Sequence, residues 1–168
     1  ALPISRSSDQ VSISTRFADR SDEGILLKYG ELLVEVAQGV PDGVVAFFPS
    51  YGYLESILVF WEERGILHSL SKYKLMFIEV RDISETARAL NDYKRACDCG
   101  RGALFLSVAR GKIAEGVDFD RHYGRAVVMC GIPFQYVRSQ TLLARLDFLK
   151  ERHGIKEKDF LDFDALRQ

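Results

Sequence analysis

The chain has 168 residues, 47% of them hydrophobic and 28% charged, with a net charge of −1. This balance suits one globular domain that buries roughly 70% of its unfolded surface, and it excludes a disordered or fibrous chain. A charge so close to zero provides no global attraction to nucleic acid or membrane, so any DNA contact needs a local arrangement of groups.

Residues 1–10 read as an irregular lead-in, followed by a strand candidate at Val11–Thr15. Ser21-Asp22-Glu23 then offers a cap and first-turn acids for a helix carrying Ile25, Tyr29, Leu32, Leu33 and Val36 at helical spacing. Gly39 and Pro41 close it. Val44–Phe48 is a continuous apolar run, the pattern of a parallel strand covered on both faces. Ser50 can cap the next helix, through Leu54, Ile57, Leu58 and Trp61, with Gly65 at its end. Leu75–Val80 repeats the strand signal and Ser84–Cys97 the helix signal. Ala103–Val108 and Ala126–Cys130 are further buried-strand candidates, and Thr141–Arg152 is an amphipathic helix stopped by Gly154. Strands alternating with helices of this length predict crossover connections, hence a doubly wound α/β domain with a mostly parallel sheet and helices on both faces.

No apolar run approaches the roughly 18 residues of a membrane span, and the start lacks the order of a secretory signal. The cysteines are Cys97, Cys99 and Cys130, too few for a disulfide framework, and no second pair or spaced histidine completes a four-ligand metal site around Cys97-x-Cys99. His68, His122 and His153 show no ligand spacing either; for His122 a structural hydrogen bond is the expected role.

In such a sheet ligands bind beyond the carboxyl ends of the strands, so the loops after the strands carry the chemistry. Ser50 sits at a helix start, where free N–H groups favour a phosphate, and its hydroxyl can equally serve as a simple cap. In the stretch 109–119, Gly111 and Gly116 permit close backbone approach, Arg110 and Lys112 are cations available to a polyanion, and Asp118 is a carboxylate able to accept a sugar hydroxyl. The same stretch also reads as a solvated charged loop. There is no G-x-x-x-x-G-K-S/T phosphate loop, and the lone Asp-Glu pair, Asp22-Glu23, opens a helix and so is poorly placed to hold magnesium.

Val45-Ala46-Phe47-Phe48-Pro49-Ser50-Tyr51-x-Tyr53-x-Glu55-Ser56 resembles motif IV of the XPD family, the iron–sulfur branch of superfamily 2 helicases. Leu106-Ser107-Val108-Ala109-Arg110-Gly111-Lys112-x-x-Glu115-Gly116-x-Asp118-Phe119 resembles that family's motif V, and Asp159-Phe160-Leu161-x-Phe163-Asp164-Ala165 resembles the helix leading into motif VI. The similarity runs from about Asp9 onward and is closer to the eukaryotic branch serving transcription factor IIH than to bacterial or crosslink-repair relatives.

The resemblance implies the second of two RecA-like motor domains, spanning 11–168 and stopping before motif VI, in an ATP-dependent helicase that moves 5′ to 3′ on single-stranded DNA in nucleotide excision repair and transcription. It implies Gly116 and Asp118 near the ATP ribose, and Ser50, Tyr51, Ser107, Arg110, Gly111 and Lys112 near the DNA backbone. ATP and magnesium would be used by the full enzyme, a 4Fe–4S cluster would belong to the first motor domain, and no metal is expected on this chain. The implied partners are single-stranded DNA, the first motor domain and the von Willebrand-type regulatory subunit of transcription factor IIH, in the nucleus. On this reading the chain alone is inactive. The alternative is a non-catalytic docking platform for that regulatory subunit, with Trp61, Tyr73 or the acidic 157–164 segment contributing.

Overall fold

The computed structural model describes all residues except 1–2, 17–18, 112, 114–115, 133–139, 155 and 167–168. The chain divides into a unit from Ala1 to Gly131 and a second from Ile132 to Gln168.

In the first unit, helix α1 (Glu23–Gly39) begins where the Asp22 side chain accepts the Ile25 N–H at 3.1 Å, satisfying one of the donors a helix start leaves open. Strand β1 (Gly43–Phe48) follows, then α2 (Tyr51–Glu63) and α3 (Ile66–Tyr73). Gly65, at φ +73, makes the left-handed step that ends α2 and starts α3, a conformation that costs glycine little. Strand β2 (Leu75–Ile78), helix α4 (Ile83–Asp98), strand β3 (Ala103–Val108), a 3-10 turn at Arg121–Gly124 and strand β4 (Ala126–Met129) complete the unit.

The four strands form a wholly parallel sheet in the order β2-β3-β1-β4. The apolar run of β1 and the largely apolar β3, both buried along nearly their whole length, lie at its centre, where both faces are covered. On one face Val44, Ala46, Leu104 and Leu106 pack with Leu33 of α1, Ile57 and Trp61 of α2, and Leu70 of α3. On the other, Val45 and Phe105 pack with Tyr93, Ala96 and Cys97 of α4 and with Ile113. Helices therefore cover both faces, as a right-handed β1-to-β2 crossover on one side and a β2-to-β3 return on the other require. Full burial of each large apolar side chain contributes about 1.5–3 kcal/mol.

Trp61 pins the first layer. It is fully buried, its indole N–H donates to the Leu26 carbonyl at 2.8 Å, and its ring meets Phe48 edge-on at 6.0 Å. Trp61 is thus a core residue and offers no docking surface, whereas Tyr73 is 37% exposed. Tyr93 plays the matching part in the second layer, edge-on to Phe77, Phe105 and Phe119, with its hydroxyl donating to the Tyr123 carbonyl.

The expected strand at Val11–Thr15 does not form. An isolated antiparallel bridge joins Arg6 to Ser12 instead, the two segments meeting as a short loop that no strand extends among the described residues. Lys28 of α1 holds that lead-in through Asp9 at 2.6 Å.

The second unit contains α5 (Gln140–His153) and α6 (Glu157–Leu166), packed on each other. Helix α5 buries Leu142 and Leu146, one turn apart, and leaves Phe148 exposed. The segment expected to lead into motif VI lies within α6.

Candidate nucleic-acid and nucleotide face

Because all strands are parallel, the loops after β1, β2 and β3 leave from one edge of the sheet. The ladder runs past the named strands: the Glu79 N–H donates to Leu106 O at 2.8 Å, and the Ala109 N–H to Phe48 O at 2.8 Å. These bonds draw the loops together at the carboxyl rim.

After β1, Ser50 is extended, exposed, and caps α2 by accepting the Tyr53 N–H at 3.3 Å. This leaves Tyr51 half-buried in the first turn, with the Arg81 guanidinium over its ring at 5.1 Å from the centroid. The Tyr51 hydroxyl donates to Glu79 Oε1 at 2.7 Å. At the end of β3, the Ser107 hydroxyl donates to Glu79 Oε2 at 2.5 Å, and the Val108 N–H reaches the same oxygen at 3.1 Å. The chain then turns at once, the Gly111 N–H donating to Val108 O at 2.7 Å. Arg110 is half-buried on this turn.

Of the residues expected at DNA, the structure brings Ser50, Tyr51, Ser107, Arg110 and Gly111 to one rim. Ser107, fully buried with its hydroxyl turned inward to Glu79, holds the rim from inside and presents no group to solvent. Lys112 lies outside the described residues. Gly116 and Asp118, expected at the nucleotide, are both exposed on the stretch between Ile113 and Phe119, whose side chains are set into the second core. After β4, Gly131 takes φ +110 and lies against the Pro49 ring, bringing that loop beside the β1 loop.

Glu79 is the residue that sequence reasoning missed. It stands next to last in the expected strand Leu75–Val80, and it is 2% exposed. The only signal was its position: an acid at the carboxyl end of a strand beside the motif V strand.

The chain's own residues do not fit an iron–sulfur cluster. Cys97 and Cys130 are buried, and burial pushes their thiols up to about 11 and about 12, the thiol form rather than the thiolate a metal needs. Among the described residues no group of three or more His, Cys, Asp or Glu side chains is placed to hold a metal ion. His122 is engaged with Asp98 at 2.8 Å, beside the Tyr123 hydroxyl bonded to the same carboxylate oxygen at 2.9 Å. These two contacts, His122 first, hold the Asp98 carboxyl below its usual range.

Residues 33–168 match the helicase C-terminal domain family. The chain is 59% identical over 167 residues to the general transcription and DNA repair factor IIH helicase subunit XPD of Arabidopsis thaliana, covering 99% of this chain and 22% of that protein. Its Schizosaccharomyces pombe counterpart is 56% identical over 166 residues, again 99% and 22%. The Saccharomyces cerevisiae subunit XPD/RAD3 is 55% identical over 164 residues, 98% and 21%. The chain thus spans about a fifth of the length of these relatives. Among solved structures, S. tokodaii Xpd4 superposes with a TM-score of 0.60 at 18% identity, over 91% of this chain and 27% of that one. An XPD helicase structure gives 0.57 at 22% identity, over 89% and 24%. The shared fold is RecA-like α/β. The chain therefore belongs to the helicase C-terminal domain family, in its XPD-type form.

Proposed function

We propose that the chain is the C-terminal motor half of an ATP-dependent, 5′-to-3′ DNA helicase that works in nucleotide excision repair and transcription. The observation carrying this reading is the convergence of the start of α2 and the end of β3 on the Glu79 carboxyl group just after β2, with Tyr51 and Arg110 on the rim they form. Arg110, Tyr51 and the Ser50 hydroxyl meet the DNA backbone, Gly111 lets the turn come close to it, and Lys112 adds charge, in contacts that are indifferent to base sequence. The Ser107 hydroxyl holds that surface from behind. Gly116 lets the chain approach an adenine nucleotide closely, and the Asp118 carboxylate accepts a ribose hydroxyl.

The nucleotide would lie between this half and a first motor domain carrying the phosphate loop, the magnesium ligands and the 4Fe–4S cluster. Phosphoryl transfer depends on positioning and charge stabilisation from both halves, so the isolated chain should not turn over ATP. The von Willebrand-type subunit of transcription factor IIH is the regulatory partner on this reading, in the nucleus. Docking of that subunit adds to the motor role and does not replace it, since the relatives named above are helicase subunits.

The test is made in the full-length protein. Asp118→Ala and Arg110→Ala should each lower DNA-stimulated ATPase and unwinding by about tenfold or more, equivalent to roughly 1.4 kcal/mol of lost stabilisation. Wild-type rates in both variants would contradict the reading.

A further inference from the structure

The Glu79 side chain joins the rim loops, yet neither the family match nor the helicase motifs give it a task. At 2% exposure it is almost wholly removed from water, which is costly for a carboxyl group unless its oxygens are satisfied. The structure satisfies them from two different elements, the first turn of α2 and the end of β3. Oε1 takes the Tyr51 hydroxyl at 2.7 Å, while Oε2 takes the Ser107 hydroxyl at 2.5 Å and the Val108 N–H at 3.1 Å. Gly111 leaves room for the carboxyl group where any Cβ would strike it. Thr86 fixes the chain just beyond, its hydroxyl donating to Val80 O at 2.8 Å and accepting the Val80 N–H at 3.1 Å.

Filling the same volume with an apolar side chain would generally serve stability as well or better than a buried polar network. What an apolar side chain cannot do is orient a phenol. Tyr51 is held on two sides, by the Glu79 oxygen at its hydroxyl and by the Arg81 guanidinium over its face. Groups fixed before binding lose less freedom when a ligand arrives.

We propose that Glu79 is a positioning residue that ties Tyr51, at the start of α2, to the Ser107–Gly111 turn, so that the two loops meet a nucleic-acid backbone as one rigid surface. This rests on the rim being the DNA-facing edge. Glu79 touches no ligand itself; it acts through Tyr51 and the turn.

The experiment uses the full-length protein and measures ATPase as a function of single-stranded oligodeoxynucleotide concentration. Glu79→Gln keeps the side-chain length and an acceptor for the Val108 N–H but turns N–H groups toward the Tyr51 hydroxyl. It should raise the DNA concentration for half-maximal ATPase by roughly three- to tenfold, the worth of one hydrogen bond, with the rate at saturating DNA within about twofold. Tyr51→Phe should give a similar shift, and the double variant should be no worse than the poorer single one, because both remove the same link. A wild-type half-saturation in either single variant, or effects of the two that multiply, would overturn the proposal. Tyr51→Phe removes only a hydroxyl from a half-buried ring, so it decides the matter even where Glu79→Gln fails to fold. Arg110→Ala separates the two levels of inference. If it leaves half-saturation unchanged, the rim is not the DNA face and the functional reading fails. If it raises half-saturation while Glu79→Gln does not, only the positioning role fails.

Discussion

Gly111 faces Glu79 so closely that a single methyl group on its Cα would overlap the carboxyl group, lying 2.8 Å from Oε2. The conformation at Gly111 is not left-handed, so its sensitivity is one of space and not of backbone freedom. Glu79 cannot swing aside cheaply, because Tyr51, Ser107 and Val108 all hold it. Gly111→Ala is expected to destabilise the domain by about 1–3 kcal/mol, the usual cost of overpacking, and to weaken DNA-stimulated ATPase beyond that loss. Urea unfolding beside a DNA titration of the ATPase checks both, and a variant indistinguishable from wild type would show that the carboxyl group is free to move.

The α1–α2 contact depends on Trp61, buried completely and bonded to the Leu26 carbonyl. Trp61→Ala should cost about 3–5 kcal/mol, the range for removing a large core aromatic. Trp61→Phe should cost less, losing chiefly the indole hydrogen bond and some volume. Denaturation midpoints at an unchanged m-value give the comparison, and a loss under 1 kcal/mol for the alanine variant would refute the central place given to this side chain.

Much of this was legible from the residues. The unbroken apolar run Val44–Phe48 and the largely apolar Ala103–Val108, interrupted at Ser107, read as strands buried in the sheet, and they form its middle. The cap at Ser50 read correctly because a short side-chain oxygen before an apolar-periodic run has a specific local job, whereas Ser21-Asp22-Glu23 marked the start of α1 without showing that Asp22 is the residue that caps it. Helix α3 went unseen because Gly65 marks the end of α2 and also begins the next helix, and a glycine stop says nothing of the restart. Val11–Thr15 alternates as a strand should, but pairing is a tertiary matter, and among the described residues its segment gains only the single bridge from Ser12 to Arg6. Glu79 stayed hidden for a related reason: its task lies in Tyr51 and Ser107, each 28 residues away along the chain, and only folding brings them together.

The lead-in should detach in acid. The hydrogen bond from Lys28, then that from Ser7, holds the Asp9 carboxyl down at about 2, against an ordinary value of 3.8. A depressed folded value means that the contribution is complete above the unfolded value and is lost as pH falls through about 2. A carboxyl-detected NMR titration should find the Asp9 midpoint near 2, and Lys28→Ala should return it toward the ordinary value. An ordinary midpoint in the unaltered chain would contradict the contact, and high salt should weaken it because Asp9 is exposed.

The three thiols should separate by reactivity. Cys99 is exposed, whereas burial raises Cys97 to about 11 and Cys130 to about 12. Maleimide at neutral pH should modify Cys99 alone in the folded protein, and all three after denaturation, since thiolate and access are both needed. Rapid labelling of Cys130 under native conditions would show that the core beneath the β1 and β4 loops opens readily.

Whether the carboxyl rim grips a polyanion is measured most directly by the single-stranded DNA affinity of the full-length protein across a salt series. Replacing Arg110 with alanine should weaken binding about tenfold at low salt and reduce the slope of log K against log salt by about 0.7, the share of one phosphate contact on a single strand. An Arg110→Ala protein with the affinity and salt slope of the wild type would contradict the assignment of this rim to DNA.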